Sequence, residues 1–171
     1  MASLMRAIKA AIKTRLATLT SLDADTIHPR RRNFGGQNEA YFEGLFTTGV
    51  GDAARVNGWE IEHESGTSAW LATNKAWDRR DVIVLRGYYG WDDEHDSEGT
   101  FSQIVEDVIE VLNADQTIGT STLTAADAAQ IARVRTHGTA QVRSYGPGTL
   151  GSKLVHYAEI ALTIAWANQI T

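Results

Sequence analysis

Thirteen residues near the end of the chain constrain its fold more than any others. From Leu154 to Trp166 every second position is apolar or nearly so: Leu154, His156, Ala158, Ile160, Leu162, Ile164 and Trp166. The positions between, Val155, Tyr157, Glu159, Ala161, Thr163 and Ala165, are smaller and partly polar. A period of two with β-branched and aromatic residues predicts a long strand with one face in a core. Burying a large apolar side chain contributes about 1.5–3 kcal/mol, whereas ordering each backbone unit costs about 1–2 kcal/mol. With only alternate residues buried, such a strand cannot stand alone. It is expected to be central in a sheet that carries helices.

Two segments supply those helices. Leu4, Ile8, Ile12, Leu16 and Leu19 fall on one helical stripe, with Ala7 and Ala11 beside it and Arg6, Lys9 and Lys13 opposite. This predicts a helix near 3–19. A second is predicted over 100–112, where Phe101, Ile104, Val105, Val108, Ile109 and Leu112 form the buried stripe and Glu106, Asp107 and Glu110 face out. Thr100-x-x-Gln103 matches a capping box at its start. Both helices are expected on the same sheet face. The basic face of the first and the acidic face of the second are complementary if they lie side by side, at no more than about 1 kcal/mol per exposed pair.

The remaining strands are shorter signals. Trp59, Ile61 and His63 alternate with Glu60, Glu62 and Glu64, which reads as a strand with one wet, acidic face. Ala69–Trp77 is the expected second strand of a hairpin. The near-continuous apolar run Val82–Tyr89 suggests a strand buried on both faces, ended by Gly90 and Trp91. Gln130–Thr136 and Thr139–Tyr145 look like two strands around His137-Gly138, and Gly146-Pro147-Gly148 is expected to break the chain before the final strand. Between Ser21 and Asn57 periodicity disappears; loop is the default there, with short strands around Tyr41–Thr48. The whole is read as a single α+β domain over 1–171, a mixed or antiparallel sheet packed by two main helices.

Composition narrows the function classes. A net charge of −5, from 16 basic and 21 acidic residues, argues against a general nucleic-acid binder. The lack of cysteine removes disulfides, thiolate nucleophiles and Cys-ligated zinc, and fits a reducing compartment. No apolar run approaches ~18 residues and the N-terminus lacks an apolar signal core, so a soluble, non-exported protein is expected.

Three motifs invite chemistry. Asp92-Asp93-Glu94-His95-Asp96 has oxygen ligands for a hard cation but not the register of a calcium loop, so a solvated hairpin end is favoured. Gly146-x-Gly148-x-x-Gly151 matches the dinucleotide fingerprint by letter only, because a strand and not a helix follows it and Pro147 sits inside. The five histidines show no metal-ligand spacing, and no Gly-x-Ser-x-Gly nucleophile motif occurs. His156 is in phase with the core face and is expected to be buried and hydrogen-bonded. No catalytic residue, cofactor site or metal site is assigned.

The order of parts resembles the tail terminator, or tail-completion, proteins of long-tailed bacteriophages. The opening helix Leu4–Leu19, the arginine-bearing loop Arg30-Arg31-Arg32, the block Val82–Trp91 with its acidic turn, and the helix Phe101–Leu112 carry the resemblance. So does the closing Leu154-Val-His-Tyr-Ala-Glu-Ile-Ala-Leu-Thr-Ile, similar to a last strand of the form His-x-Ala-x-Ile-x-Leu. The resemblance implies a small sheet packed by helices on one side and a structural, non-enzymatic virion protein. It further implies a homo-oligomeric, hexameric ring that caps the tail tube and docks the neck or head-completion protein. That ring would be built in the host cytoplasm and found in the tail and neck of the virion, with DNA passing through it and neither membrane nor specific nucleic acid as partner. Arg30, Arg31 and Arg32, and Asp92, Asp93, Glu94 and Asp96, lie on non-periodic segments of opposite charge and are the candidate contact residues. The rival readings are a neighbouring neck or head–tail connector protein and, from another class, a small cytosolic enzyme.

Overall fold

The computed structural model describes residues 4–30, 39–50, 54–71, 76–117 and 134–169. Among the described residues three α-helices, α1 (Leu4–Leu16), α2 (Glu39–Gly44) and α3 (Ser97–Asn113), accompany seven strands. The strands are β1 (Ile27–His28), β2 (Thr47–Thr48), β3 (Arg55–Leu71), β4 (Ala76–Gly90), β5 (Arg135–Thr136), β6 (Gln141–Leu150) and β7 (Lys153–Gln169). All belong to a mixed sheet in the order β1-β3-β4-β7-β5, with β2 also on β3 and β6 also on β7. Among the described strands only the β1–β3 pair is parallel. The α+β architecture is the one expected, and β7 is indeed interior, flanked by β4 on one side and by β5 and β6 on the other.

Pleating divides the sheet into two unlike faces. One presents Trp59 and Ile61 from β3, Ile83, Leu85 and Tyr89 from β4, and Ala158, Ile160, Leu162 and Ile164 from β7. On it lie Ile8, Ile12 and Leu16 of α1 and Phe101, Ile104, Val105, Val108 and Leu112 of α3, in one continuous core. Both helices therefore pack on the same face, as their stripes require. Trp59 lies flat across its register partner Gly87, where a Cβ would come within 2.6 Å of the indole. A side chain at position 87 would displace the ring.

Several boundaries differ from the sequence expectations, for local reasons. The second helix begins at Ser97, not Thr100: Asp96 is the N-cap, its carboxylate accepting from Gly99 N–H, and Gln103 donates to Asp107 instead of closing a capping box. α1 ends at Leu16, and Leu19 packs on the core from the following turn. Ala69–Trp77 is not a separate strand. β3 runs to Leu71 and β4 starts at Ala76, and residues 72–75 lie outside those described. Tyr41 is helical, in α2, so only Thr47–Thr48 of the expected 41–48 stretch is a strand.

The glycine-proline segment is likewise no break. Gly146, Pro147 and Gly148 sit inside β6 opposite Tyr157, His156 and Val155, and an edge strand tolerates the missing N–H. The reversal comes at Gly151-Ser152, where Gly151 at φ 62 supplies the positive φ that a two-residue hairpin turn needs. β5 and β6 do not form a hairpin with each other around His137-Gly138; both pair with β7, and 130–133 of the expected first strand lie outside the described residues. Leu154, expected inside, is half exposed because it stands at the rim of the sheet.

Among the described residues the second face is only partly covered. At one end Phe46, Val56, Leu150 and Val155 form a small apolar cluster, with Leu45 and Tyr88 packed against it. Glu43 of α2 accepts from Ser152 N–H and Oγ–H and pairs with Lys153 Nζ at 3.5 Å. This ties the α2 segment to the β6–β7 turn. The strands also outrun the helices: the 17 residues of β3 span about 55 Å, the 17 residues of α3 about 25 Å. Glu64–Ala69 are consequently exposed at the far end of the β3–β4 hairpin.

Candidate functional site

The acidic turn after β4 is a built structure. Trp91, Asp92, Asp93, Glu94, His95 and Asp96 are all exposed, yet the side chains of Trp91, Asp92, Asp93, His95 and Asp96 are engaged. Asp92 accepts from Glu94 N–H at 3.0 Å and pairs with His95 Nδ1 at 2.7 Å. The His95 and Glu94 hydrogen bonds hold the Asp92 carboxyl below its ordinary pKa. Trp91 Nε1–H donates to Asp93. Asp96 caps α3 from the left-handed region, φ 47, which Asp tolerates better than most side chains. The Asp92, Asp93 and Asp96 carboxylates are spent on the turn's own shape, and among the described residues no group of three or more His, Asp or Glu is placed to hold a metal ion.

A latch joins this turn to the core. Asp92 N–H donates to Ser97 Oγ at 2.9 Å, and Ser97 Oγ lies 2.8 Å from His156 Nε2. The hydroxyl donates to Nε2 when the imidazole carries its proton on Nδ1. A Ser–His pair at this distance is the geometry of an activated nucleophile. Here both residues are buried, and the Trp91 indole stacks on the imidazole at 4.4 Å with an interplanar angle of 14°. The pair positions the turn. His156 is thus buried and hydrogen-bonded, as its phase on β7 implies. Beside the turn opens a cleft of about 760 Å³, lined among others by Arg55, Trp91, Asp92, His95, Lys153 and Leu154.

The second sheet face carries a network that the sequence does not announce. Register places Arg86 of β4 between Glu60 of β3 and Glu159 of β7. Its guanidinium donates to Glu159 at 3.1 Å and to Glu62. Burial pushes the Arg86 pKa down, but the hydrogen bond and charge of Glu62, with Glu159, outweigh it and hold the cation firmly. Tyr88 Oη–H donates to Glu60 at 3.0 Å and Tyr157 Oη–H to Glu159 at 3.0 Å. Burial, then the neighbouring carboxylates, pushes both phenols above their ordinary pKa. Arg143 of β6 reaches over two intervening strands to Glu64 at 2.7 Å. The glutamate face of β3 is therefore not simply wet: Glu60 is 3% exposed, because Arg86 and Tyr88 close over it. β4 is buried on both faces as expected, but its second face is mixed and not wholly apolar: Val84 is fully buried beside the half-buried Arg86 and Tyr88.

A third polar group sits where the helix-covered face ends. Asp81, fully buried, receives Trp166 Nε1–H at 2.8 Å and Arg79 Nε–H at 3.0 Å, with His63 Nε2 at 2.8 Å. Three partners compensate for removing a carboxylate from water. His63, predicted on the core face, is half-buried as one of them.

Of the candidate contact residues, Arg30 is exposed in the bend after β1, while Arg31 and Arg32 lie outside the described residues. The acidic turn is exposed as expected. The two segments sit at different places on the sheet: β1 runs parallel to β3, so the chain leaving His28 heads toward Glu62, whereas the turn follows β4 where β3 begins. Of the residues that sequence reasoning missed, Arg86 and Glu159 are single charges inside apolar runs, and that interruption is their only signal, whereas Asp81 closes the charged run Asp78-Arg79-Arg80-Asp81 and nothing in it announces burial. No protein-family model matches this chain, and no curated protein matches it.

Proposed function

We propose that this chain is a structural virion protein of a long-tailed bacteriophage, a tail terminator whose copies form a ring on the finished tail tube and present the surface that the neck and head join. The observation that carries this reading is the one-sided sheet. Among the described residues both long helices are used on one face, as the resemblance implies, and the opposite face presents the Arg86 charge network beside its small apolar cluster, with the acidic turn exposed at the start of α3. A surface of fixed charges suits docking, where electrostatic complementarity sets register and encounter rate and buried apolar contacts supply affinity. In this reading Arg30–Arg32 and Asp92–Asp96 contact the tube end or the neck.

The proposed work is assembly and not catalysis. The polar groups that the fold gathers, Ser97 with His156, Asp81 with its three donors and Arg86 with its carboxylates, are consumed in internal pairs that position elements. The decisive experiment removes the gene from its phage and examines lysates by electron microscopy. Tails of abnormal length together with unjoined filled heads are expected. Normal virions would refute the reading, and tails of normal length that fail to join heads would favour the neck-connector alternative.

A further inference from the structure

Charge is distributed unevenly over the helical layer. From Leu4 to Leu16, α1 contains Arg6, Lys9, Lys13 and Arg15 and no acid. From Asp92 through α3 to Asn113 the chain contains eight acids and no Lys or Arg. The basic and acidic helices are neighbours on the same sheet face. Arg15 reaches beyond the end of α3 to Asp115, 3.2 Å away. Among the described residues, however, Lys9 and Lys13 form no ion pair with an α3 carboxylate, and Glu106 and Glu110 form none with any cation. The contrast with the sheet is sharp, since Arg79, Arg86 and Arg143 there are all paired.

We infer that the helical layer docks a second copy of this chain head to tail, the outer face of α1 with Lys9 and Lys13 meeting the outer face of α3 with Glu106 and Glu110 of the next copy. The inference rests on the ring reading and names the surface that builds the ring. The occupant is set by complementarity: each copy carries both the basic and the acidic strip, so one kind of chain satisfies both. Using α1 toward one neighbour and α3 toward the other makes the contact heterologous, the type that closes into rings. The half-buried Ile109 and Val111 of α3 and Leu4 and Met5 of α1 border the strips and give the contact apolar area. A two-fold, face-to-face pair would also set α1 against α3 but satisfies both strips within a dimer, so the head-to-tail contact requires a sedimentation mass above that of a dimer, and assembly that stops at a dimer overturns it.

The test is analytical ultracentrifugation of the full chain at low and high salt. Two reversals are compared, Lys9→Glu with Lys13→Glu, and Glu106→Lys with Glu110→Lys, together with the chain carrying all four, which keeps the wild-type net charge of −5. These positions are exposed or half-exposed on helices, and Lys and Glu have similar helix propensity. Circular dichroism verifies that each variant is folded. Wild type is expected to assemble, with assembly weakened by salt. Each two-residue reversal should weaken it at least tenfold, and the four-residue swap should restore it. Mixing the two reversed chains should also restore it, because each then offers the strip the other needs. Assembly that neither reversal weakens, or a swap that fails to restore it, overturns this inference and leaves the ring reading standing. A wild-type chain that stays monomeric at its highest attainable concentration in low salt also overturns it, and the gene-deletion experiment then decides the ring reading separately.

Discussion

The two faces of the sheet are made from the same three strands and hold together by different physics. On the helix side, stability comes from apolar area: Trp59, Leu85, Ile160 and Leu162 meet Ile12, Phe101 and Val108 with little or no exposure. On the other side the strands hold one another through Arg86, Glu62, Glu159 and Tyr88, charges placed in register and half removed from water. An apolar core tolerates any partner of suitable shape. A charge network demands particular neighbours, and losing one member leaves the others buried and unmatched. The first face therefore fixes that the chain folds, and the second fixes which strand lies beside which.

The largest effect should come from breaking the apolar face. Leu162→Ala or Ile164→Ala, both essentially unexposed on β7, should each cost about 2–5 kcal/mol in chemical denaturation. A loss below ~0.5 kcal/mol at both would mean that β7 is not central to the core. Next comes the network. Arg86→Met should cost about 1.5–3 kcal/mol by leaving Glu60, Glu62 and Glu159 without their shared cation. Adding Glu62→Gln and Glu159→Gln should recover most of that loss. An Arg86→Met chain as stable as wild type would show that the charges merely coexist.

A pH scan sharpens the comparison without mutation. Tyr88 and Tyr157 have pKa values raised in the fold, by burial and then by Glu60 and Glu159 respectively. Their contribution is complete below the unfolded pKa of ~10 and is lost as pH rises past it, because the unfolded chain ionises where the folded chain does not. Stability should fall above pH ~10, by up to about 1.4 kcal/mol per pH unit for each tyrosine still protonated in the fold. Tyr88→Phe should make that slope shallower; an unchanged slope would place the titrating groups elsewhere. The smallest effect is expected at Arg143→Ala. Its pairs with Glu64 and Glu159 are 38% exposed on the arginine side, and removing them should cost under ~1 kcal/mol.

The same contrast explains what could be read before the structure. Apolar phase is local, so the stripes of α1, α3 and β7 announced both helices, the central strand and the face they share. Pairing is not local: nothing near Arg86 in the chain reveals that Glu159, 73 residues later, will stand beside it. Short elements escaped for a related reason. β1 falls in the stretch whose default reading is loop, and β2 and β5 lie within the expected 41–48 and 130–136 stretches without their bounds being legible; each has two residues, too few for any period, and exists because β3 or β7 offers it an edge. Pro147 and its flanking glycines looked like a break because edge position, which makes them tolerable, is itself a tertiary property. The acidic turn was legible as an exposed, charged segment, but not the Ser97–His156 latch beneath it, which joins residues 59 apart.

The proposed role puts this chain at the head-proximal end of a phage tail. The most direct measurement is where it sits in a finished particle, read by cryo-electron microscopy of virions carrying an electron-dense label fused to this chain. That role predicts a single ring of label between the last ring of tail-tube protein and the neck. Label confined to the head vertex, or particles that infect normally without carrying this chain, would contradict it.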